Sequence, residues 1–588
     1  MFRKVLIILL LVFLSLSVVS ASDNQTQDIS MSDVDDVVAT NEIASFTDLQ
    51  NVINNAKNGD TINLHKNYSY SKNDPTEGIL INKSITINGN GAVLDAKNSS
   101  RIFSIIGAYD ENDDDYENDG KVVLNDLIFK NGNAKNGGAI FVTDSEEIYT
   151  TTVFLNITNC GFSNNRAIDV SKVEEFSTEG YGGAIYSIEN CVMKIKNSIF
   201  INNTCDFEGG AIYGAEACGI EVSDSNFTGN KALFGGAIYS AYLDVFTSNF
   251  LNNFASGYAG AICSEYNCNL NVRNSLFQFN KANTGAGAVS FFGSANISDS
   301  KFLNNSGKSD GGAICANGDD DTINILNSVF IGNSAGYGGA IDFVECLNVN
   351  GKIINCLFKS NTATVSGGAF TDLPDTLKLS NNTFENNNLE EVYIKYFTFR
   401  TTFDSGKILK VTIYSRLTNK PIANAKVSLR LIHSLSDKKS SYKILHATTN
   451  SKGVASFKTI SKLAANYYEW GYDFSVKNYG SSWSDGYLIE INKAPTIVKA
   501  PKVTAKFKKS KYFKVTVKNK ATKKAVNKIK IKIKVYTGKK YKTYNIKTNK
   551  KGVAKFNTKI LKRGTHKVVI SSGNSNYKIS AKSTIKIK

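Results

Sequence analysis

The sequence predicts an all-β protein in which a parallel β-helix is followed by two immunoglobulin-like (Ig-like) β-sandwich domains. Three observations support this prediction. A small-Gly-Ala-apolar tetrapeptide occurs nine times between Gly137 and Phe370, and a Phe-x-x-Asn motif precedes almost every copy. Two similar segments then follow where the repeat ends, and each has the length of about 100 residues that is typical of a β-sandwich.

The repeat has a nearly constant period. After a first step of 45 residues, the later steps are 24 to 29 residues. A period this short fits one coil of a parallel β-helix or of a leucine-rich horseshoe. The recurrent apolar residues are Phe, Ala and Ile rather than Leu, which favours the β-helix. The copies start at Gly137, Gly182, Gly209, Gly235, Ala259, Ala286, Gly311, Gly338 and Gly367.

The repeated residues are predicted to have structural roles. A Gly pair permits positive φ, or a close approach of two backbones, at a sharp turn between strands. The Asn tolerates the left-handed conformation at a turn and can hydrogen-bond its own backbone. Phe and Asn residues of successive coils are expected to stack as ladders. The pairs that begin these ladders are Phe162 and Asn165, Phe200 and Asn203, and Phe227 and Asn230.

The first 42 residues have the features of an exported chain. Residues 1–21 form a predicted signal peptide, with a basic start, an apolar run and a small-residue cleavage site before Ser22. An uncleaved membrane anchor is the alternative, although the apolar run is short for a span. Residues 22–42 are polar and acidic and predict a flexible lead-in. We expect no transmembrane segment after the signal peptide.

Residues 43–390 are predicted to form the β-helix together with an N-terminal helical cap. Thr47 is the predicted N-cap of a short helix that ends near Gly59, with Leu49, Val52 and Ile53 as its apolar residues. Such a helix would cover the open end of the coil stack, where unpaired strands otherwise invite association.

Residues 391–495 and 496–588 are predicted to be two Ig-like β-sandwiches. The segments TNSKGVASF and TNKKGVAKF start 99 residues apart, at Thr449 and Thr548. Polar and apolar residues alternate around them over short strands, and Gly453 and Gly552 mark tight turns.

The positive charge of the chain is concentrated in its last module. Residues 501–588 contain 29 Lys and Arg and no Asp or Glu, so they carry +29, whereas residues 1–500 carry −12 of the total of +17. A module of this charge is attracted to polyanions. For a secreted chain we expect an anionic envelope polymer and no nucleic acid. The alternative is that the lysines only solvate the faces of the sandwich.

All nine cysteines lie between Cys160 and Cys356. Their positions follow the coil and not a CxxC spacing, which favours buried small residues that stack from coil to coil. A disulfide between Cys191 and Cys218 is left open, and zinc has little support because no paired ligand spacing is present.

An acidic run interrupts the early coils. Asp113, Asp114 and Asp115 are weak candidates for calcium ligands, because calcium prefers clustered oxygens. A solvated loop explains the same run. No other metal site and no cofactor are expected.

The motifs resemble those of two groups of surface proteins. The GGAI and Phe-x-x-Asn pair is similar to the repeat of chlamydial polymorphic outer membrane proteins. The whole layout, from SFTDLQNVINNA and GDTINL to YFKVTV and TNKKGVAKF, resembles adhesin-like proteins of methanogenic archaea. The resemblance implies a right-handed parallel β-helix displayed at the cell surface and carried by Ig-like modules. In contrast to the chlamydial proteins, we expect no translocating β-barrel, no transmembrane tail and no sortase-like signal, which leaves the mode of anchoring open.

We therefore expect a secreted or cell-surface adhesin-like protein without catalytic residues. About twelve coils would form a rod of roughly 58 Å, at about 4.8 Å per coil, that contacts cells, glycans or matrix. Tyr181, Phe234, Tyr258 and Tyr337 precede repeat turns and either add to such contacts or pack over the corners. A structural envelope protein without a specific receptor is the main alternative.

A polysaccharide lyase or hydrolase is the less favoured alternative, because parallel β-helices also host such enzymes. These reactions need carboxylates gathered on one coil face. The Asp and Glu residues of the coils fall at non-equivalent positions of the repeat, so we expect no such cluster and no enzyme.

Overall fold

The structure is a computed structural model of the 588-residue chain. The predicted signal peptide (1–21), the predicted lead-in (22–42) and the calcium candidates Asp113, Asp114 and Asp115 lie outside the described residues. The described residues are 43–107, 120–143, 152–169, 178–188, 190–264, 267–346, 348–395, 398–435, 439–481 and 488–588. The chain divides into a first unit that ends at Glu390 and a second unit that starts at Glu391, where the sequence period also ends.

The first unit begins with helix α1, Phe46–Asn55. Its N-cap is Ser45, so the prediction of Thr47 was wrong. The hydroxyl oxygen of Ser45 accepts from the amide N–H of Asp48, and the carboxylate of Asp48 accepts from the amide N–H of Ser45. This reciprocal pair is a capping box. The hydroxyl of Thr47 instead donates to the carboxylate of Asp74.

Helix α1 is held by its apolar face and by its C-terminal end. Phe46, Leu49 and Ile53 are buried, whereas Val52, which the sequence also predicted as an apolar contact, is 43% exposed. The ammonium group of Lys83 donates to the backbone carbonyls of Ile53 and Ala56 over 3.3 and 2.9 Å, where helix carbonyls lack partners within the helix. The helix therefore ends at Asn55, four residues before the predicted Gly59.

Parallel strands from successive coils form the rest of the first unit, as predicted. One sheet, which we call the Phe sheet, has 13 strands. It therefore spans one coil more than the twelve or so expected. Its strands are Ile43–Ser45, Asn67–Ser69, Val93–Asp95, Ile128–Lys130, Gly161–Ser163, Ile199–Ile201, Asn226–Thr228, Asn249–Leu251, Leu276–Gln278, Lys301–Leu303, Val329–Ile331, Leu357–Lys359 and Thr383–Glu385.

A second sheet, the corner sheet, has nine short strands. They follow the strands of the Phe sheet after a tight turn. Its strands are Asn133–Ala134, Arg166–Ala167, Thr204–Cys205, Lys231–Ala232, Phe254–Ala255, Lys281–Ala282, Ser306–Gly307, Ser334–Tyr337 and Thr362–Ser366.

The third sheet, the long sheet, has 20 strands, because most coils add two strands to it. In three coils, a single long strand takes the place of these two strands. Its strands are Thr61–Asn63, Ile79–Ile81, Ile85–Asn88, Phe103–Ile106, Lys121–Asn125, Ile140–Thr143, Val153–Thr158, Ile185–Ser187, Cys191–Lys196, Ile212–Ser223, Ile238–Phe246, Ile262–Cys263, Cys268–Arg273, Val289–Ser298, Ile314–Asn317, Thr322–Leu326, Ile341–Val344, Asn350–Ile354, Phe370–Thr371 and Lys378–Ser380.

The repeat phenylalanines form a stack through the interior. From Phe129 to Phe358, neighbouring rings lie 4.6–4.9 Å apart between centroids and are nearly parallel. Phe162, Phe200 and Phe227 belong to this stack and are at most 1% exposed. Because the strands of the Phe sheet pair in register, each ring packs on the equivalent ring of the next coil.

The repeat asparagines form a second interior ladder. Each side-chain NH₂ from Asn165 to Asn361 donates to the side-chain oxygen of the next Asn over 2.9–3.0 Å. The same NH₂ donates to the carbonyl of a Phe in the preceding coil; for Asn230 this is Phe200, at 3.1 Å. The side-chain oxygen also accepts the backbone N–H of the Asn before it. These buried amides therefore have their hydrogen-bond partners.

The left-handed turn residue is the one before each ladder Asn. Asn164, Asn202 and Asn252 have φ of 53–54°. The prediction that the ladder Asn itself adopts this conformation was wrong. Its side chain points into the coil and bonds to neighbouring coils instead of to its own backbone.

A serine ladder runs two residues before the repeat phenylalanines. The backbone N–H of Ser198 donates to the hydroxyl of Ser225 over 3.1 Å, and that of Ser225 to Ser248 over 3.1 Å. Each hydroxyl also donates to the carbonyl two residues earlier, as Ser225 does at 2.7 Å. The ladder members are Cys160, Ser198, Ser225, Ser248, Ser275, Ser300, Ser328 and Cys356.

The Gly pair forms the remaining sharp corner. Gly209 has φ +70°, and a Cβ built on Gly210 would lie 2.0 Å from the carbonyl oxygen of Gly236 in the next coil. The first glycine thus supplies the conformation and the second permits the close approach of two coils. The first glycines Gly137, Gly182, Gly235, Gly311, Gly338 and Gly367 also have positive φ.

The nine cysteines are buried and free. Cys191 and Cys218 lie opposite each other in register on adjacent strands, and the structure holds both as thiols, without the disulfide that the sequence left open. Cys160 and Cys356 occupy positions of the serine ladder and donate to carbonyls two residues earlier, both at 3.3 Å. These cysteines are small stacked residues of the coil.

The second unit contains two β-sandwiches, each with a four-stranded and a five-stranded sheet. Apolar residues from both sheets form one core in each sandwich. In spatial order, the sheets of the first are Val454–Phe457, Leu409–Ser415, Glu391–Ile394 and Gly480–Ser481, and Thr398–Thr402, Leu488–Asn492, Asn466–Val476, Lys426–Leu435 and Lys439–Thr448. Those of the second are Val553–Asn557, Tyr512–Asn519, Ala494–Lys499 and Tyr577–Lys578, and Val503–Ala505, Ser580–Ile587, Gly564–Ser572, Lys530–Thr537 and Lys540–Lys547.

The two sandwiches have the same strand order, in agreement with their sequence similarity. The hydroxyl oxygens of Thr449 and Thr548 accept equivalent backbone N–H groups, from Ala425 and Ile529. Each sandwich also has one short 3-10 helix, Ile460–Lys462 and Thr558–Ile560.

The second sandwich starts slightly earlier than the predicted 496. Ala494 is fully buried in its core and begins the strand Ala494–Lys499. Ala494 and Pro495 therefore belong to the second sandwich, although the sequence placed them at the end of the first sandwich, residues 391–495.

We expect Asn253→Ala to destabilise the β-helix strongly. The substitution removes a side chain whose oxygen accepts two bonds from Asn230 and whose NH₂ donates to Phe227 and Asn280. Unpaired buried groups cost about 1–3 kcal/mol each, so a loss of about 3 kcal/mol or more is expected. Thermal and urea unfolding of the full chain measure it.

Asn296→Ala is the matched control, because Asn296 makes side-chain bonds to neighbouring coils on the solvent face. We expect it to change stability by no more than about 0.5 kcal/mol. Equal effects of the two substitutions would contradict the role of burial in the Asn ladder.

We expect the stability of the β-helix to fall as the pH rises above about 9. Burial raises the pKa of Cys160 and Cys346 to about 12 and that of Cys356 to about 11. A thiol with a raised pKa in the folded state stabilises it below the unfolded-state pKa and loses this contribution toward the folded-state pKa. Each of these three thiols should lower the free energy of unfolding by about 1.4 kcal/mol per pH unit between its unfolded-state and folded-state pKa.

The double variant Cys160→Ser, Cys356→Ser tests this effect, because Ser occupies the same ladder position in neighbouring coils. Its thermal midpoint should match that of the native chain at pH 7 and decline less between pH 9 and 11. An identical alkaline decline in both proteins would show that these thiols do not cause it.

Candidate binding surfaces

The outer face of the long sheet carries side chains that differ from coil to coil. Strand residues alternate between the core and solvent, so adjacent strands place outward residues in rows. One row consists of Val192, Gly219, Tyr242 and Asn269. The next row consists of Lys194, Glu221, Asp244, Asn271, Asn296 and Asn324.

A cleft opens in the first row, at Gly219. No atom lies within 4 Å of the position that a Cβ on Gly219 would occupy. The gap between Val192 and Tyr242 is therefore filled by neither neighbour, and Tyr242 is 49% exposed. The cleft has a volume of about 270 Å³. We call it the Gly219 cleft; its polar edge is formed by Lys194, Glu221, Asp244 and Asn271.

The polar edge of the Gly219 cleft contains both charges and amides. The ammonium group of Lys194 lies 3.9 Å from the carboxylate of Glu221. The side-chain NH₂ of Asn271 donates to the carboxylate of Asp244 over 2.7 Å. With one cation and two carboxylates, this edge has a net charge of −1 and offers both donors and acceptors.

Glu221 and Asp244 lie opposite each other in register. The expectation that carboxylates fall only at non-equivalent repeat positions was therefore wrong for this pair. The register between their two strands shifts between Gly214 and Gly219, which adds three residues to one coil. Glu221 thus lies 12 residues after Gly209, whereas Asp244 lies nine residues after Gly235. The different offsets hid the pair in the sequence.

Three of the four aromatic residues suggested by the sequence pack against neighbouring coils. The ring of Tyr181 lies 5.0 Å from that of Tyr213 and 5.7 Å from that of Phe207. Burial raises the pKa of Tyr181 to about 12. Phe234 and Tyr258 stack on each other at 5.8 Å.

Tyr181 and Phe234 are half-buried, and the other two residues are more exposed. Tyr258 is 42% exposed and Tyr337 is 38% exposed. The sequence did not single out Tyr242, because it precedes no repeat turn.

The second sandwich presents lysines on the outer face of its five-stranded sheet. Lys530, Lys532 and Lys534 alternate with buried Ile531, Ile533 and Val535 on one strand. Lys530 faces Lys547 directly on the neighbouring strand. Like charges in this position are destabilising. We call Lys530, Lys532, Lys534, Lys547 and Lys567 the lysine face.

The opposite sheet of this sandwich also carries lysines. Lys514 and Lys555 lie opposite each other on two adjacent strands, and Lys518 lies on the same strand as Lys514. Because residues 501–588 contain no Asp or Glu, neither face has an acidic partner within this segment.

The described residues contain no group of three or more His, Cys, Asp or Glu side chains placed to hold a metal ion. In the same part of the chain, none of the helices has both the length and the apolar character needed to cross a membrane.

Three segments match the model of the Chlamydia polymorphic membrane protein repeat: residues 197–215, 224–241 and 299–317. Each begins at a residue with positive φ, namely Asn197, Asp224 and Asp299. Each then passes through one member of the serine ladder, one of the Phe stack, one of the Asn ladder and a Gly pair. Each matched segment thus contains the residues through which one coil contacts its neighbours in the interior.

No curated protein matches the chain. Solved structures similar to part of it include the I9–I11 tandem of titin, at 11% identity and a TM-score of 0.17, covering 35% of this chain and 68% of that chain. The fibronectin(III)-like modules of Clostridium thermocellum CbhA follow at 12% identity and 0.14, covering 34% and 94%. The D0–D1 domain of intimin has 15% identity and 0.13, covering 33% and 98%. These TM-scores are too low to assign a fold or a function to this chain.

The parallel sheets and the three matching segments agree with each other. This chain is a β-helix protein with repeats of the polymorphic membrane protein type. Such repeats suggest a surface-exposed, adhesin-like protein and leave its partner open.

Proposed function

We propose that this protein is a cell-surface adhesin-like protein whose β-helix binds a glycan or protein of another cell or of the matrix through the outer face of the long sheet. The match to the polymorphic membrane protein repeat carries the proposal. The predicted signal peptide at residues 1–21 supports export, and an origin in methanogenic archaea stays a prediction.

The division between interior and surface supports this proposal. Inside the coils, Phe and Asn recur because they stack on their equivalents. On the outer face of the long sheet, Lys194, Glu221 and Asp244 follow one another at equivalent positions. Surface side chains can therefore change without loss of the interior contacts, which suits a protein that recognises a specific partner.

We further propose that the second sandwich holds the protein on an anionic envelope polymer through the lysine face. Antiparallel strands rise about 3.4 Å per residue, so Lys530, Lys532 and Lys534 lie about 7 Å apart along one line. A polyanion laid along this line would offset the repulsion between Lys530 and Lys547. Nucleic acid has the same charge but is not the polyanion that a secreted protein meets first.

The proposed role is non-catalytic. The main alternative is a structural envelope protein without a receptor. Such a protein would neither bind a partner cell nor release sugar from a glycan. A β-helix hydrolase or lyase would use carboxylates such as Glu221 and Asp244, so an assay for released reducing ends belongs with the binding experiment.

We expect the mature full chain, residues 22–588, to bind target cells saturably and to resist competition by 0.5 M salt. Flow cytometry with labelled protein measures this binding. Absence of binding to every cell type and matrix tested would contradict adhesion and favour the structural reading. Release of reducing ends from a glycan would instead indicate an enzyme.

We expect the triple variant Lys530→Gln, Lys532→Gln, Lys534→Gln to bind linear polyglutamate at least tenfold more weakly at low ionic strength. Screening at high ionic strength should weaken the native chain more than the variant. Titration by biolayer interferometry at two salt concentrations measures both effects.

Lys514→Gln, Lys518→Gln, Lys555→Gln is the matched control, because it removes the same charge from the opposite face. We expect less than a threefold change for it. Equal losses in both triple variants would show that only the net charge matters, and tighter binding of duplex DNA than of polyglutamate would contradict the envelope assignment.

A further inference from the structure

We propose that the Gly219 cleft is a binding site for a neutral sugar ring. This inference rests on the proposed adhesin function, for which it names the ligand class and the site. The cleft combines an exposed aromatic ring, an open floor and an edge of mixed hydrogen-bonding groups. Each of these three features matches one property of a pyranose.

The aromatic ring matches the apolar face of a sugar. Tyr242 is 49% exposed and borders the gap above Gly219. An exposed aromatic side chain buries a large apolar area at low entropic cost when a flat partner packs on it, and its hydroxyl remains available to water or ligand. The C–H groups on one side of a pyranose form such a flat partner.

The polar edge matches the hydroxyls of a sugar. A hydroxyl both donates and accepts, so it needs acceptors and donors at one site. The carboxylates of Glu221 and Asp244 accept, and hydrogen bonds to ionised groups are the stronger ones. The ammonium group of Lys194 and the side-chain amide of Asn271 donate.

The size of the cleft and the donors already beside its two carboxylates favour a neutral ring over a cationic side chain. Lys194 lies 3.9 Å from Glu221, so it would repel a lysine or arginine brought to the same carboxylate. A volume of about 270 Å³ equals that of about nine water molecules, which is the scale of one sugar ring with its hydroxyls.

The cleft exists because one coil departs from the repeat. The register shift between Gly214 and Gly219 moves a glycine into the row between Val192 and Tyr242. Gly219 does not have a positive φ and no atom lies near its Cβ position, so neither conformation nor crowding requires a glycine here. An ordinary β-former at 219 would be at least as stable, because glycine weakens a strand.

The test uses the mature full chain and three single variants on an array of defined neutral and charged oligosaccharides, followed by calorimetry with the strongest neutral ligand. Tyr242→Ala removes the aromatic platform, and Gly219→Tyr fills the cleft. Phe246→Ala is the matched control, because Phe246 lies outward on the same strand and away from the cleft. Thermal unfolding of each variant verifies the fold.

We expect Tyr242→Ala and Gly219→Tyr to weaken sugar binding at least tenfold, whereas Phe246→Ala changes it less than twofold. All three should keep the thermal midpoint of the native chain within about 2 °C. Absence of binding to every neutral sugar, or equal affinities of all variants, would overturn the cleft proposal. So would preferential binding of lysine amide or arginine amide.

Cell binding measured in parallel separates this inference from the adhesin proposal. Cell binding that persists in Tyr242→Ala and Gly219→Tyr overturns the cleft as the adhesive site and leaves adhesion standing. Cleft-dependent sugar binding without cell binding supports the cleft and contradicts adhesion.

Discussion

The first unit depends on hydrogen bonds between the corners of successive coils. A sharp corner turns backbone groups inward, where water does not reach them, and each needs a partner. The side chain of Asn230 supplies partners to the coils on both sides of it. At another corner, the hydroxyl of Ser225 accepts from the preceding coil and donates within its own coil. No coil completes these bonds alone, so coils are stable only as a stack. This dependence explains why the same polar residues recur inside an otherwise apolar core.

The same dependence separates structure from recognition. Interior side chains must bond to or stack on those of the next coil, as each ladder Asn donates to the next Asn. Outward side chains on the long sheet have no such partner requirement, and Lys194, Glu221 and Asp244 succeed one another there. The Gly219 cleft arises at a local register shift in this face, and the lysine face arises from strand alternation in the second sandwich. Both surfaces thus leave the cores unchanged.

The sequence was sufficient for the fold because the period reports the interior directly. Phe and Asn recur at fixed offsets because each Phe stacks on, and each Asn hydrogen-bonds to, its equivalent in the next coil. The serine ladder was missed, although Ser198 and Ser225 stand two residues before the repeat Phe, just as Cys160 does. The N-cap was misplaced because Ser45 and Thr47 are both capping residues, and each has a side chain three residues later, Asp48 and Gln50, that can complete a capping box.

The candidate cleft could not be found from the period. Glu221 and Asp244 lie in one row only because three extra residues precede Glu221. Counting a fixed number of residues from each Gly pair therefore assigns them to different rows. The openness above Gly219 depends on the side chains of two neighbouring coils, which only the folded stack brings together. Charge in the second sandwich was visible in the sequence, but its division between two faces required the strand order.

A scan of single substitutions over residues 43–390, made in the full chain and displayed on yeast, tests the central claim most directly. Each variant is scored for folded protein on the surface and for binding to target cells. The account predicts that substitutions in the Ser, Phe and Asn positions reduce folded protein, whereas substitutions on the outer face of the long sheet keep the fold and reduce binding. Binding losses without loss of fold that spread evenly over all faces of the coils would contradict it.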